Sequence, residues 1–286
     1  MRLADLAPRA KELSDRRMPF VQAVVVRAQR PTSVRPGDAA IVHADGSIEG
    51  FVGGACTETS VRLHGLRVLE TAEPLLLELR PDEEASDYVR EGVVTAHNPC
   101  LSGGELEIFL EPCLPAASLV IAGHGPIAEA LTDLAGRVGF HVTSPELAAG
   151  AAAVVVAAHG RDEEGLLGEA LRQGVPYVAL VASPKRGDAV RASLDLPDAL
   201  RRQLHSPAGL DIGARTPAEI AVSIVAEILA ERHRVPAHPV TAPVTATDPV
   251  CGMEVAVTDA TISLERDAEH IYFCSEGCRQ RYGAPR

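Results

Sequence analysis

The spacing of apolar residues changes period several times along the chain, and each change predicts an element. Residues 4–17 read as a helix, because Leu3, Leu6, Ala10 and Leu13 recur at helical spacing on an otherwise charged stretch. Phe20–Ala28 (FVQAVVVRA) is a β-branched run, the pattern of a buried strand. Pro31 to Gly37 interrupts it. Ala39–His43 and Ser47–Val52 then flank Ala44-Asp45-Gly46, whose Asp-Gly step predicts a hairpin turn. Thr57–Glu70 returns to helical spacing. Leu75–Leu79 and Glu105–Leu110 read as strands, and Pro112 and Pro115 mark a boundary.

From Ser118 onward, strand and helix patterns alternate. Leu119–Ala122, Phe140–Thr143, Val154–Ala158 and Tyr177–Val181 read as strands, and Ile127–Val138 and Glu163–Arg172 as helices. Such alternation predicts a parallel sheet with helices on its faces. Thr216-Pro217-Ala218-Glu219 predicts a helix start, with Thr216 as cap, Pro217 in the first turn and Glu219 closing a capping box; the helix should run to about His233. Residues 235–249 carry Pro236, Pro239, Pro243 and Pro249 among Ala, Val and Thr, the composition of an extended linker. The segment that follows is too small to hold together easily on apolar burial alone, so a metal would help it fold.

Composition narrows the function classes. The 286 residues are 46% hydrophobic and 23% charged, ordinary for a globular protein, and suggest about two domains with a small third. Aromatics are only 3%, so the core must be Ala, Val and Leu. A net charge of −12 argues against a nucleic-acid or anionic-membrane binder, since both need a basic face. Residues 1–17 lack the apolar run of a signal peptide, which leads to the expectation of a cytoplasmic protein with no membrane span. On that expectation the six cysteines are thiols for chemistry or metals, not a disulfide scaffold.

Four stretches carry candidate chemistry. Gly123-His124-Gly125-Pro126-Ile127-Ala128 fits G-x-G-x-x-A between a predicted strand and helix, the dinucleotide-binding context of a Rossmann fold. Gly123 and Gly125 would let the backbone approach a pyrophosphate at a helix N-terminus. The acidic partner expected about twenty positions on is reduced to Glu146, and the next strand begins almost at once, so NAD(P) is poorly provided for. Two further loops place a cysteine beside paired glycines: Gly53-Gly54-Ala55-Cys56-Thr57-Glu58 and Asn98-Pro99-Cys100-Leu101-Ser102-Gly103-Gly104. Cys56 sits near a predicted helix N-terminus, which favours thiolate. Both cysteines read equally well as small apolar residues in tight turns.

The fourth stretch is C-terminal. Cys274 and Cys278 are four positions apart, so one helical turn puts both thiols on one side, and Cys251 supplies a third. Soft thiolates select zinc or cuprous copper. A fourth ligand is not obvious: His270 or Asp248 could serve, or the position stays open. The same residues suit a structural site or a transferable metal.

Phe20–Cys56, the NPCLSGGELEIFLEP run at Asn98–Pro112, Val155–Arg186 and the SPAGLDIGARTPAEIAVSIVAEI run at Ser206–Ile228 together resemble the XdhC/CoxI family, accessory factors of xanthine dehydrogenase and carbon monoxide dehydrogenase. The resemblance covers nearly all of residues 18–232. It implies a chaperone without turnover of its own that binds molybdenum cofactor, assists its sulfuration and delivers it to an apo molybdenum hydroxylase. A sulfurtransferase would be a further partner, and the family often dimerises. It makes Cys56 and Cys100 the leading cofactor contacts, with Gly53, Gly54, Glu58, Ser102, Gly103 and Gly104 around them. It also suggests roles for His159, Lys185, Arg186 and Asp211 in loops after strands or before the last helix.

The DPVCGM and YFCS-x-x-C elements of residues 247–283 resemble the YHS (TRASH-like) domain, a metal-binding, sensing or delivery module. Fused to a carbon monoxide dehydrogenase accessory factor, it implies copper handling. The organisation expected is α/β: an XdhC/CoxI domain over 1–115, a trimmed Rossmann-like parallel-sheet domain over 116–234, a Pro-rich linker over 235–246 and a metal-binding module over 247–286. An NAD(P)-dependent oxidoreductase and a metal sensor or metallochaperone are the competing functions.

Overall fold

The computed structural model describes residues 1–286 except 82–87, 91, 98–103, 146–149, 159–162, 233–241, 267–268 and 285–286. Contacts divide the chain into two units, one of Met1–Pro115 with His238–Arg286 and one of Ala116–Ala237.

In the first unit, two-residue periodicity decides the layers. The elements are α1 (Leu3–Asp15), β1 (Phe20–Gln29), β2 (Ala39–His43), β3 (Ile48–Gly50), α2 (Ala55–Thr71), β4 (Leu75–Arg80), β5 (Tyr88–Arg90), β6 (Val93–His97) and β7 (Glu105–Cys113). Their strands form a mixed sheet of order β3-β2-β1-β7-β4-β6-β5, antiparallel except between β4 and β6. Val21, Ala23 and Val25 of β1 and Ala40 and Val42 of β2 point to one face, where they meet Val61, Leu66 and Leu69 of α2. Phe20, Ala39 and Ile41 point to the other, where they meet Leu6, Ala10 and Leu13 of α1. Both faces are covered, which is why β1 carries apolar residues on both of its faces rather than strictly alternating with polar ones.

The hairpin at Asp45-Gly46 forms as expected, pairing β2 with β3. Pro112 does not end its strand: β7 continues to Cys113, with Pro112 opposite Val21 of β1. Pairing with β4 stops at Leu110, so one edge is open there, and an open edge tolerates a residue without an N–H.

The second unit contains β8 (Ser118–Ala122), α3 (Pro126–Arg137), β9 (His141–Thr143), β10 (Ala153–Val156), α4 (Glu163–Arg172), β11 (Tyr177–Leu180), α5 (Pro184–Ser193), α6 (Asp198–Arg201), β12 (Leu204–His205) and α7 (Pro217–Arg232). Its strands are all parallel, in the order β12-β11-β10-β8-β9. Leu119, Ile121, Val155 and Ala179 face α3 and α7, and Val120, Val154, Val156 and Val178 face α4 and α5. This is the Rossmann-like sheet expected from the alternation. The chain passes from β8 to β9 on one side and then to β10 on the other, so the topological switch point lies between β8 and β10.

The C-terminal residues form β13 (Thr245–Thr247), β14 (Glu254–Ala256), β15 (Ile262–Arg266), β16 (Glu269–Phe273) and α8 (Glu276–Gly283), as two antiparallel ribbons and a short helix. β13 opens at Thr245, inside the stretch expected to be linker. These elements are built into the first unit. Ala256 joins the α2 core, Arg67 meets Glu254 at 2.8 Å, and buried Thr59 Oγ1 donates to the Cys274 carbonyl at 2.8 Å.

Candidate functional site

The C-terminal cysteines converge because three local structures aim them at one point. Asp248 starts a turn in which Gly252 N–H donates back to its carbonyl at 2.8 Å, and this presents Cys251. Gly252 has φ +78°, a conformation that favours glycine. Cys274 follows the last residue of β16. Ser275 caps α8, its Oγ accepting from Cys278 N–H at 3.3 Å, which places Cys278 in the first helical turn. The Asp248 carboxylate ties the arms together, with Oδ1 accepting from Val250 N–H and Oδ2 from Cys274 N–H, each at 2.8 Å. Asp248 is fully buried, and those amides, against the opposing effect of burial, hold its carboxyl below the ordinary range.

The sulfurs of Cys251 and Cys274 lie 3.5 Å apart and those of Cys274 and Cys278 3.6 Å apart. Ligand atoms of Asp248, Cys251, Cys274 and Cys278 all fall within 4.8 Å of one another. Thiolates bound tetrahedrally to zinc at about 2.3 Å stand about 3.8 Å apart, so both of these measured edges need only a slight expansion to hold such an ion. As thiols these groups resist ionisation. Cys251 is raised by its hydrogen bond with Cys274 and by burial, and Cys278 by burial. For Cys274 the Cys251 contact favours thiolate, but the neighbouring Cys56 thiol and burial outweigh it. The Arg281 guanidinium donates to Cys278 Sγ at 3.2 Å. His270 is exposed on β16 and stacked near Tyr272.

Cys56 occupies the first turn of α2, behind an N-cap at Gly54 that supplies no side-chain acceptor. Gly54 has no side chain to cap the helix, and a Cβ there would meet nothing within 4 Å. Gly53 packs on Thr57, and Glu58 is half-buried in the same turn. The half-buried Cys56 side chain packs against the buried cluster of Met253, Val255, Phe273, Cys274 and Cys278. Cys100, Ser102 and Gly103 of the second loop lie outside the described residues. Gly104 is described, and its α-carbon faces the Pro31 carbonyl with no room for a side chain.

A cavity of about 230 Å³ opens nearby, lined by Ser60 and His64 of α2, His97 at the end of β6, and Gly252, Met253 and Glu254. Ser60 is one turn from Cys56 and donates to its carbonyl at 3.3 Å. His97 immediately precedes the Asn98–Gly104 loop. Burial pushes His64 down to about 4, with Arg67 acting in the same direction and Glu254 against it.

In the second unit, Gly123 has φ +140°, and a Cβ there would lie 2.5 Å from the Ala157 carbonyl oxygen. The first glycine of the motif is thus needed to close β8 against the end of β10 at the switch point, whatever is bound. Gly125 is the N-cap of α3, again without a side-chain acceptor, and His124 is exposed. Lys185 and Arg186 lie not in a loop but in the first turn of α5, where Ser183 is the N-cap and Pro184 the first residue. Lys185 is exposed. Arg186 reaches both oxygens of buried Glu163 at 2.7 and 2.8 Å. Asp211 is exposed before α7; His159 and Glu146 lie outside the described residues.

Sequence reasoning missed a polar latch in this unit. Glu227 of α7 accepts from the Tyr177 hydroxyl at 2.6 Å and Gly209 N–H at 2.8 Å, and pairs with His205 Nδ1 at 3.0 Å. Burial raises the Glu227 carboxyl, but the three contacts together bring it below its ordinary value. Thr59, Asp248 and His64 also went unread as a set, since no local pattern places them together.

Two family models match the chain, "XdhC and CoxI family" over residues 13–80 and "XdhC Rossmann domain" over residues 119–228. The chain belongs to the XdhC and CoxI family. Among family relatives, it is 28% identical over 260 residues to uncharacterized protein YqeB of Escherichia coli K12, covering 79% of this chain and 46% of that one. It is 30% identical over 185 residues to a probable xanthine dehydrogenase subunit of Bacillus subtilis 168, covering 54% of each. The chain thus spans about half the length of the curated relatives it matches. A crystal structure described as a xanthine dehydrogenase from Bacillus halodurans is similar at 18% identity and TM-score 0.40, covering 81% of this chain and 97% of that one.

Proposed function

We propose that this family member is an accessory factor for a molybdenum hydroxylase of the xanthine dehydrogenase or carbon monoxide dehydrogenase type. It holds the molybdenum cofactor while a sulfurtransferase acts on it and then passes it to the apoenzyme. Family membership and the name of the Bacillus subtilis relative support the client class. The observation that carries the reading is the Gly53-Gly54-Ala55-Cys56 loop: a thiol and a glycine-capped helix start share one helical turn, with open space at Gly54. Amides at a helix N-terminus suit an anionic phosphate, and a thiol suits molybdenum. The cavity bounded by Ser60 and His97 adjoins this turn in sequence and the start of the second glycine–cysteine loop, so Cys100, Ser102, Gly103 and Gly104 are proposed to close the same site. When bound, the cofactor supplies the redox metal of the client enzyme; the protein's own groups grip and shield it.

The C-terminal residues act, in this reading, as a YHS-type metal module in which Cys251, Cys274 and Cys278 hold zinc or cuprous copper. Gly123, Gly125, His159, Lys185, Arg186 and Asp211 are proposed to contribute from the Rossmann domain. Native mass spectrometry after incubation with molybdenum cofactor, and separately with NAD(P)H, tests the main reading. Retention of the pterin by the wild type and its loss in Cys56→Ser are expected. Retention of the nicotinamide alone would replace this function with an NAD(P)-dependent oxidoreductase.

A further inference from the structure

The three C-terminal thiols leave one position of a tetrahedral ion unfilled, and the structure offers three groups for it. Asp248 is close enough, but each of its carboxylate oxygens accepts a backbone amide at 2.8 Å, so a metal bond there would compete with the ties that hold the two arms of the module together. His270 is exposed on β16. Cys56 remains. Its side chain packs against the cluster of Met253, Val255, Phe273, Cys274 and Cys278, beside the Cys274 thiol; its sulfur lies outside the set of ligand atoms within 4.8 Å of one another and must move inward to bind with them. Thr59, in the next residues of the same helix, holds the Cys274 carbonyl at 2.8 Å, so α2 and the module are pinned together at this point.

We propose that Cys56 is the fourth thiolate of the C-terminal metal centre, so that one soft, thiophilic cation is shared by Cys56, Cys251, Cys274 and Cys278. The inference rests on the reading above that the C-terminal cysteines bind metal. Four S–H bonds break, four metal–sulfur bonds form, and four protons leave to solvent, with no change of oxidation state. A divalent ion then leaves the cluster two charges negative. Two helix starts offset this, because Cys56 lies in the first turn of α2 and Cys278 in the first turn of α8. Arg281, 3.2 Å from Cys278 Sγ, adds a full positive charge. The glycine–cysteine loop proposed to grip the molybdenum cofactor and the metal module would thus share a ligand, and occupancy of one would set the availability of Cys56 to the other.

Cobalt(II) added to the reduced, metal-free full chain reads this directly, because thiolate-to-cobalt absorption scales with the number of bound thiolates. The wild type should show a tetrahedral four-thiolate spectrum, Cys56→Ser should lose about a quarter of the thiolate absorption, and Cys274→Ser should lose most of the binding. A wild type that binds no cobalt overturns both this inference and the module's metal reading. Full absorption in Cys56→Ser overturns the inference alone. Alkylation of the wild type, mapped by mass spectrometry, is independent of any folding defect in the variants. Cobalt should slow modification of Cys56 together with Cys251, Cys274 and Cys278 while leaving Cys113 as an unaffected reference. An unchanged rate at Cys56 counts against the proposal.

Discussion

His64 shows how one buried side chain ties this fold to pH. It is held at about 4 in the folded chain, by burial first and Arg67 second, with Glu254 opposing, while an unfolded histidine titrates near 6.5. Between those values the unfolded chain binds more protons, so stability rises with pH across the window. Its contribution is complete above about pH 6.5 and falls as the pH drops toward 4, by on the order of 3 kcal/mol. Urea midpoints from pH 4.5 to 7.5 should show that slope in the wild type, and His64→Leu should flatten it; parallel curves would count against the assignment. Gly123 gives a second test. Alanine there would combine a φ of +140° with a Cβ 2.5 Å from the Ala157 oxygen, and should cost about 1–3 kcal/mol. Thermal unfolding should show the loss in the Rossmann unit whether or not a nucleotide is present. A variant as stable as the wild type would mean the β8–β10 closure is looser than this structure has it.

At the level of elements, the docking of α2 on the C-terminal module depends on groups of unequal value. Arg67–Glu254 is more than a third exposed on both partners, and such pairs contribute little. The Thr59–Cys274 bond is buried, and Thr59→Val leaves a carbonyl without its donor at a cost of about 1–2 kcal/mol. Hydrogen exchange should therefore quicken in β16 and α8 of that variant and stay unchanged in the Rossmann unit; unchanged exchange in α8 would show that packing alone holds the module. These elements differ in how well their sequences announce them. α7 begins where its capping box says, with Glu219 N–H donating to Thr216 Oγ1 at 3.3 Å and Glu219 Oε2 accepting from Thr216 N–H at 2.9 Å. β2 and β3 meet at Asp45-Gly46 for the same local reason. α5 was missed although Ser183-Pro184 is a cap followed by a first-turn proline, because its charged sequence carries almost no apolar stripe. β6 follows a charged stretch and owes its strand form to pairing with β4, a tertiary cause. The convergence of Cys251, Cys274 and Cys278 is legible from short motifs. The approach of Cys56 is not, because no local spacing encodes a contact between residues so far apart.

For the whole molecule, the decisive fact is that the first unit is made from both ends of the chain. Residues before Pro115 and after His238 share it, with Ala256 inside the core beneath α2. Removing residues from 242 onward should therefore lower the thermal transition of the first unit by several degrees and leave the Rossmann unit's transition in place. Two unshifted transitions would mean that the C-terminal elements add nothing to that core. The sequence pattern announced a tethered appendage here, since prolines and a change of composition separate residues 247–286 from what precedes them. Docking reverses that impression, through apolar residues such as Val255 and Ala256 whose partners are set by the fold.

The 215 positions that separate Thr59 from Cys274 also have a meaning in time. A ribosome adding about 5–20 residues each second needs roughly 10–40 s to travel that distance. Throughout that interval the nascent chain carries α2 with the Cys56 sulfhydryl still lacking its C-terminal companions, while the whole Rossmann unit is being made. Any ligand that reaches the glycine–cysteine turn during translation would find it uncovered until the residues around Cys251 and Cys274 emerge and pack beside it.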